Sequence, residues 1–337
     1  MKCLLVLLLC LSLLNVLPAA AQSEHYTYID LGDPSKGDWF PQIDAGQVVW
    51  EVRQGFNYQI AFYDGTSTSL LTPDESVGSA PQIDAGQVVW QGWDDTDTEI
   101  FLYDGTTTIQ LTDNDTPDYM PRLDAGQVVW VGSEEIFFYD GTTTLQLTTN
   151  DTADTNPQID AGQVVWLGAE NKIFLYDGST TIELADNALR NTNPQIDAGQ
   201  VVWESFTDED SEISFYDGTT TIQLTDNDTF DFRPQIDAGQ ITWMGSDSLI
   251  YLYDGTTTVE LATNASPSAA PQIDAGQVVW MGYAGEDIDI FLYDGTTTLQ
   301  LSDNDIPDVD PQLDAGQVVW VTQAADDTKI TLAIPNP

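Results

Sequence analysis

The sequence predicts an all-β chain, an eight-bladed β-propeller of four-stranded antiparallel blades closed by its own two ends. Three observations carry this. The decapeptide Pro-Gln-Ile-Asp-Ala-Gly-Gln-Val-Val-Trp begins at Pro41 and recurs, nearly unchanged, at Pro81, Pro121, Pro157, Pro194, Pro234, Pro271 and Pro311. A second signature, Tyr-Asp-Gly followed by three Ser or Thr residues, begins at Tyr63, Tyr103, Tyr139, Tyr176, Tyr216, Tyr253 and Tyr293. The stretches before the first unit and after the last read as complementary parts of one more. A period of about 40 residues belongs to propellers or solenoids. The complementary ends favour a closed ring over an open β-solenoid.

The N-terminus stands apart from the repeat. Lys2 is a short basic region, residues 4–14 are almost unbroken apolar, and Ala19 and Ala21 are small residues placed as at a signal cleavage site. The apolar run is short for a bilayer span. Residues 1–21 are therefore expected to be a secretory signal and 22–337 a single, monomeric domain outside the cytoplasm, whether secreted, periplasmic or on the cell surface. Both cysteines, Cys3 and Cys10, fall in the signal, so the mature chain would hold no disulfide and no thiolate site.

Within a unit the elements follow in order. Residues 82–84 form a short first strand. Asp84-Ala85-Gly86-Gln87 is a tight turn in which Gly86 is free to take positive φ. Residues 88–90, Val-Val-Trp, form a second strand. A polar loop leads to a third strand at 100–103, apolar throughout and so buried on both faces. Asp104-Gly105 is a hairpin turn. Residues 107–112 alternate as a fourth strand with one wet face. Such a meander is a propeller blade. Residues 28–40 align with a fourth strand and its following connection. After Pro311 the chain supplies two strands and a third at 329–334. Together these ends make the eighth blade.

Spacing separates two faces of the ring. Pro to Trp, Ile to Tyr and Tyr to the next Pro are constant. Only the step from Trp to the next Ile varies: ten residues after Trp50, Trp90, Trp203, Trp280 and Trp320, six or seven after Trp130, Trp166 and Trp243. That loop lies on the same face as the blade-to-blade connections, opposite the two tight turns. Variable repeat loops mark a binding face.

The arrangement of Pro81-Gln82-Ile83-Asp84-Ala85-Gly86, Val88-Val89-Trp90, Ile100-Phe101-Leu102-Tyr103 and Leu111-Thr112 resembles the TolB-like, WD-like propeller repeat of the bacterial cell envelope. The Trp-Ser-Pro of that repeat has no counterpart here. The resemblance implies an extracytoplasmic propeller that binds other molecules, and it transfers no catalytic residue.

Charge narrows the partners. The chain has 8 Lys and Arg against 55 Asp and Glu, a formal net of −47. Such a surface repels nucleic acid and anionic lipid. The expected partner is a protein, peptide or glycan, with no membrane insertion after signal cleavage. Trp50, Trp90, Trp130, Trp166, Trp203, Trp243, Trp280 and Trp320 read as core between blades. Trp93, Phe206 and Tyr283 fall in the variable loops and are candidate contact residues. A ring of Gln42, Gln82, Gln158, Gln195, Gln235, Gln272 and Gln312 is expected on the channel, with Arg122 as the third copy, placed to anchor an anion or to neutralise nearby Asp. The connections carry Asp113, Asp115 and Asp118; Asp226, Asp228 and Asp231; and Asp303, Asp305 and Asp308. Carboxylates so spaced suit Ca²⁺, and they also suit turn-forming roles. Asn114, Asn150, Asn227 and Asn264 begin Asn-x-Ser/Thr sequons. His25 is the sole histidine, so Ser-His-Asp and His-metal chemistry are excluded. A carboxylate-based hydrolase or lyase and a ligand-free surface spacer stand as alternatives to a non-enzymatic binding propeller.

Overall fold

A computed structural model describes residues 25–32, 36–72, 76–185, 189–262, 264–266, 270–324 and 327–337; the expected signal, 1–21, lies outside them. The chain forms eight four-stranded antiparallel sheets, each built from consecutive strands except the last. Blade two is representative. Its strands are Gly78–Asp84, Gln87–Trp93, Thr98–Tyr103 and Thr108–Gln110, paired in that order.

The inner strand starts earlier than the expected 82–84 because it runs through a bulge between Ser79 and Gln82. Pro81 has no N–H for the ladder, and the bulge absorbs the missing bond. The residue before the proline takes positive φ in seven blades, from Phe40 (53°) to Asp310 (52°). The outer strand is shorter than the expected 107–112, since only three residues keep the pairing with Phe101–Tyr103.

Period-two alternation places the core between blades. Val88 and Trp90 pack on Val49, Ile60 and Phe62 of blade one, while Val89, Ile100 and Leu102 pack on Val128 and Trp130 of blade three. All eight second-strand tryptophans are buried. In blades two, three, four, six and seven the indole stacks on an aromatic ring of the third strand, as Trp90 does on Phe101 at 5.9 Å.

The ring closes as the two ends require. Tyr26–Asp30 pairs antiparallel with Asp327–Pro335 and becomes the outer strand of blade eight. Lys329 Nζ sits 2.9 Å from Asp30 Oδ1 across that pairing. The boundary differs from 28–40. Asp38, Trp39 and Phe40 already belong to the inner strand of blade one, because Asp38 and Trp39 pair with Val52 and Glu51.

One face is uniform. In each Asp-Ala-Gly-Gln turn the alanine holds φ of 47° to 49° and the glycine 76° to 78°, the two-residue geometry that matches strand twist. The turn aspartate then reaches the next blade. Asp44 Oδ2 accepts from the Ala85 N–H at 2.7 Å, Asp84 from Ala125 at 2.7 Å, and so on round the ring to Asp314, which accepts from Ala45 at 2.8 Å. Eight identical clasps tie this face together.

Candidate functional site

The opposite face is made by the loops between second and third strands and by the blade-to-blade connections. They hydrogen-bond to each other within a blade: Trp93 N–H to Val77 O at 3.1 Å, Ser246 N–H to Phe230 O at 2.8 Å, and Tyr283 N–H to Asn264 O at 2.7 Å. Loop length and connection composition therefore act on one surface.

Apolar exposure is confined to that surface and to the outer strands. Among the described residues, the exposed large hydrophobics off the outer strands are Phe40, Phe56, Val77, Trp93, Met120, Leu189, Phe230, Tyr283 and Ile306. All sit on the variable face or at its end of an inner strand. None stands in an Asp-Ala-Gly-Gln or Asp-Gly turn. Trp93 is 51% exposed and Tyr283 45%. Phe206 is half-buried, with the Arg190 guanidinium 5.2 Å from its ring centre. These three share one level, three residues beyond the blade tryptophan, but stand on non-adjacent blades. Leu189 and Phe230 were not legible in the sequence because the connections carry no fixed apolar position, and Phe56 because it stands at the tip of the blade-one loop between 54 and 57.

The nine acids picked out for Ca²⁺ divide in two. Asp113, Asp115, Asp226, Asp228, Asp303 and Asp305 are exposed in the connections. Asp118, Asp231 and Asp308 open the inner strands and are buried. Each accepts from its blade's indole N–H, Trp130 at 3.1 Å, Trp243 at 3.2 Å and Trp320 at 2.9 Å. Each also accepts from an asparagine four residues earlier at 2.7 Å, namely Asn114, Asn227 or Asn304. The inward turn parts the acids of each connection, and among the described residues no three acidic or histidine side chains converge as a metal site would require.

Arg122 holds the position that glutamine holds in the other inner strands. Its Nε donates to Gln158 Oε1 at 3.2 Å and its Nη1 to Pro121 O at 3.1 Å. Among the described residues it makes no ion pair with a carboxylate. The adjacent Asp124 is taken up by the clasp to Ala161. Burial pulls the guanidinium below its usual pKa range.

Clefts open between blades on the variable side. Those beside Trp166, Trp243 and Trp320 enclose about 350 to 370 Å³. The one between blades four and five encloses about 620 Å³ and is lined by Leu184, Leu189, Asn191, Phe206, Glu212 and Ser214 among others. Blades one, five and eight lack a ring opposite the tryptophan, Ala61 and Thr331 holding that place in blades one and eight. Ser214 faces Trp203 across the sheet, where Phe101, Phe137, Phe174, Tyr251 and Phe291 face theirs. A hydroxymethyl replaces a ring. Asn191 replaces the usual buried Asp, accepting from Trp203 Nε1 at 3.1 Å and Ser205 Oγ at 3.0 Å, and Ser205 and Ser214 bridge at 2.8 Å. Polar Asn191, Ser205 and Ser214 and the buried Glu212 share the lining with apolar Leu184, Leu189 and Phe206, a mixture that suits a ligand anchored by an apolar group. The signal was present in the third strand, which reads Ile213-Ser214-Phe215-Tyr216 where blade two reads Ile100-Phe101-Leu102-Tyr103.

No family profile matches this chain, and no curated protein does. Solved structures do. The computationally designed Ika8 protein aligns at 19% identity with a TM-score of 0.63, covering 89% of this chain and 98% of that one. The β-propeller domain of the Trilobed protease from Pyrococcus furiosus, described as having an open velcro topology, aligns at 12% and 0.57 over 81% and 99%. BamB from Moraxella catarrhalis aligns at 14% and 0.56 over 92% and 99%. At these identities the likeness shows the propeller fold alone.

Proposed function

We propose that this chain is an extracytoplasmic, non-enzymatic binding propeller of the TolB-like, WD-like kind, whose variable face holds a protein or peptide and seats an apolar side chain in the cleft between blades four and five. One observation carries the reading: among the described residues the exposed large apolar side chains off the outer strands gather on the variable face, and none stands on the uniform one. Aromatic side chains set in a polar surround make effective anchors in protein contacts. The strongly negative net charge favours a cationic partner segment and speeds its encounter.

The test is a random-peptide library and a glycan array probed with labelled mature protein. Peptide binders are expected, and Trp93→Ala, Tyr283→Ala and Ser214→Phe should weaken them while Thr106→Ala on the uniform face should not. Binding confined to glycans, or equal loss from both faces, contradicts the reading. So does turnover of a bound peptide or glycan that a single Asp or Glu substitution abolishes.

A further inference from the structure

Three blade junctions bring two buried carboxyl groups together, Glu99 with Asp118, Glu212 with Asp231 and Asp289 with Asp308, and a fourth repeats their spacing with two buried acids. A third-strand acid stands nineteen positions before an inner-strand aspartate of the next blade: Glu99 with Asp118, Glu135 with Asp154, Glu212 with Asp231, and Asp289 with Asp308. All eight side chains are buried. The repeats supply an internal comparison. Where the first position is Gln59, Lys172 or Leu249, the second is Gly78, Asn191 or Ser268. At the closing junction Lys329 holds the first position and Asp38 the second. A buried aspartate thus occurs with a lysine or with another acid, and in these positions an acid never stands opposite a neutral residue.

We infer that each of these four carboxyl pairs holds one proton in common in the folded ring, which makes the blade junctions tighter in mild acid than in mild alkali. Two ionised carboxylates in contact away from water repel and are costly to desolvate, whereas one shared proton turns the contact into a strong hydrogen bond.

At two of the four pairs the hydrogen bonds leave room for such a proton, whereas Glu212 already accepts from the Asn227 N–H and the Thr225 hydroxyl, and Asp289 from Gln300 and Ser302. At Glu99, Oε1 accepts from the Asn114 N–H at 2.9 Å, while Oε2 is buried and has no partner. Glu135 Oε2 is likewise buried and unpartnered. A carboxylate oxygen so placed needs a donor or must carry one. On the other side Asp118 already accepts two N–H groups, from Trp130 and Asn114. Those donors face the oxygens that a metal ion would need, so the geometry fits a proton better than a cation.

The other titratable groups beside three of the pairs are acids and a tyrosine. Asp97 lies beside Glu99, with Asp94 and Asp115 beyond it. Asp287 lies beside Asp289, and the Tyr251 hydroxyl lies near Asp231. Among the described residues the ion pairs of Lys172 and Lys329 go to Glu170, Glu183 and Asp30, not to these carboxyls. Burial holds Asp118 and Asp308 above the usual carboxylate range. Burial first, and then the facing Glu212 or Asp308, raises Asp231 and Asp289 to about 6. A carboxyl raised on folding stabilises the fold while protonated, and that contribution is lost as pH rises through the folded value.

The test is the thermal midpoint of the mature protein at about pH 5 and about pH 8, for the wild type, Glu99→Gln and Glu135→Gln. Glutamine supplies a permanent N–H where the shared proton would sit. The wild-type midpoint should fall with rising pH, and each variant should raise it at the alkaline pH and shrink the difference. A wild-type midpoint that does not fall overturns the proposal, as does an equal loss at both pH values in both variants. Infrared spectra give a second reading that needs only the folded wild type. A protonated-carboxyl carbonyl band should persist at neutral pH, and its absence overturns the proposal. A calcium-induced rise in midpoint that Glu99→Gln abolishes means that the pair holds a cation, and overturns it too.

Discussion

Ala85 and its seven counterparts hold a left-handed backbone that costs an L residue with a Cβ about 1 kcal/mol. Gly86 made the turn legible in the sequence; the alanine before it did not, because nothing in its side chain announces positive φ. The turn tolerates it because each alanine N–H is clasped by the preceding blade's aspartate. Asparagine adopts this conformation more readily and is the favoured residue before glycine in such turns. Ala85→Asn, at an exposed position, should therefore raise stability by about 0.5–1 kcal/mol, read from the denaturant midpoint with an unchanged slope. The buried tryptophans were legible for the opposite reason, since an invariant indole inside an apolar strand has nowhere to go but the core. The inward turn of Asp118, against the outward Asp113 and Asp115, depends on strand register and on the indole twelve residues later, which composition alone does not reveal.

At the scale of strands, the third strand of blade five departs from five others, as do those of blades one and eight with Ala61 and Thr331. In blade five Ser214 leaves Trp203 without the stacked ring found in five other blades. Ser214→Phe restores the repeat's own solution. It should fill much of the cleft and raise stability by about 1 kcal/mol through stacking, checked by thermal melting, while removing binding at that junction. The strand order and the two hairpin turns were legible because alternation and Asp-Gly spacing specify them. The inner-strand extension to Gly78 was not, because the bulge that carries it across Pro81 breaks the period-two pattern just where the strand would be recognised.

For the whole molecule, closure and charge set the behaviour. The outer strand Tyr26–Asp30 covers the edge of the last blade. Deleting residues 25–31 should lower the melting temperature and give concentration-dependent association by light scattering, since an uncovered edge pairs with other chains. The pH profile should be bell-shaped. Hydrogen bonds from the following Ser or Thr residues hold Asp64, Asp104, Asp177 and Asp254 at about 2, so their contribution is present above the unfolded value and lost as pH falls toward 2. Asp231 and Asp289, at about 6, act in the opposite sense and weaken the fold as pH rises from about 4 through 6. Melting temperature should peak at about pH 4 and fall on either side.

The central claim is that one face of this ring binds and the other only holds it together. Amide hydrogen exchange, with and without a peptide selected from the library, tests it directly. The claim predicts slowed exchange in the segments around Trp93, Leu189, Phe206 and Tyr283, with the turns at 84–87, 104–107 and 197–200 unchanged. Protection centred on those turns, or spread equally over both faces, would contradict it.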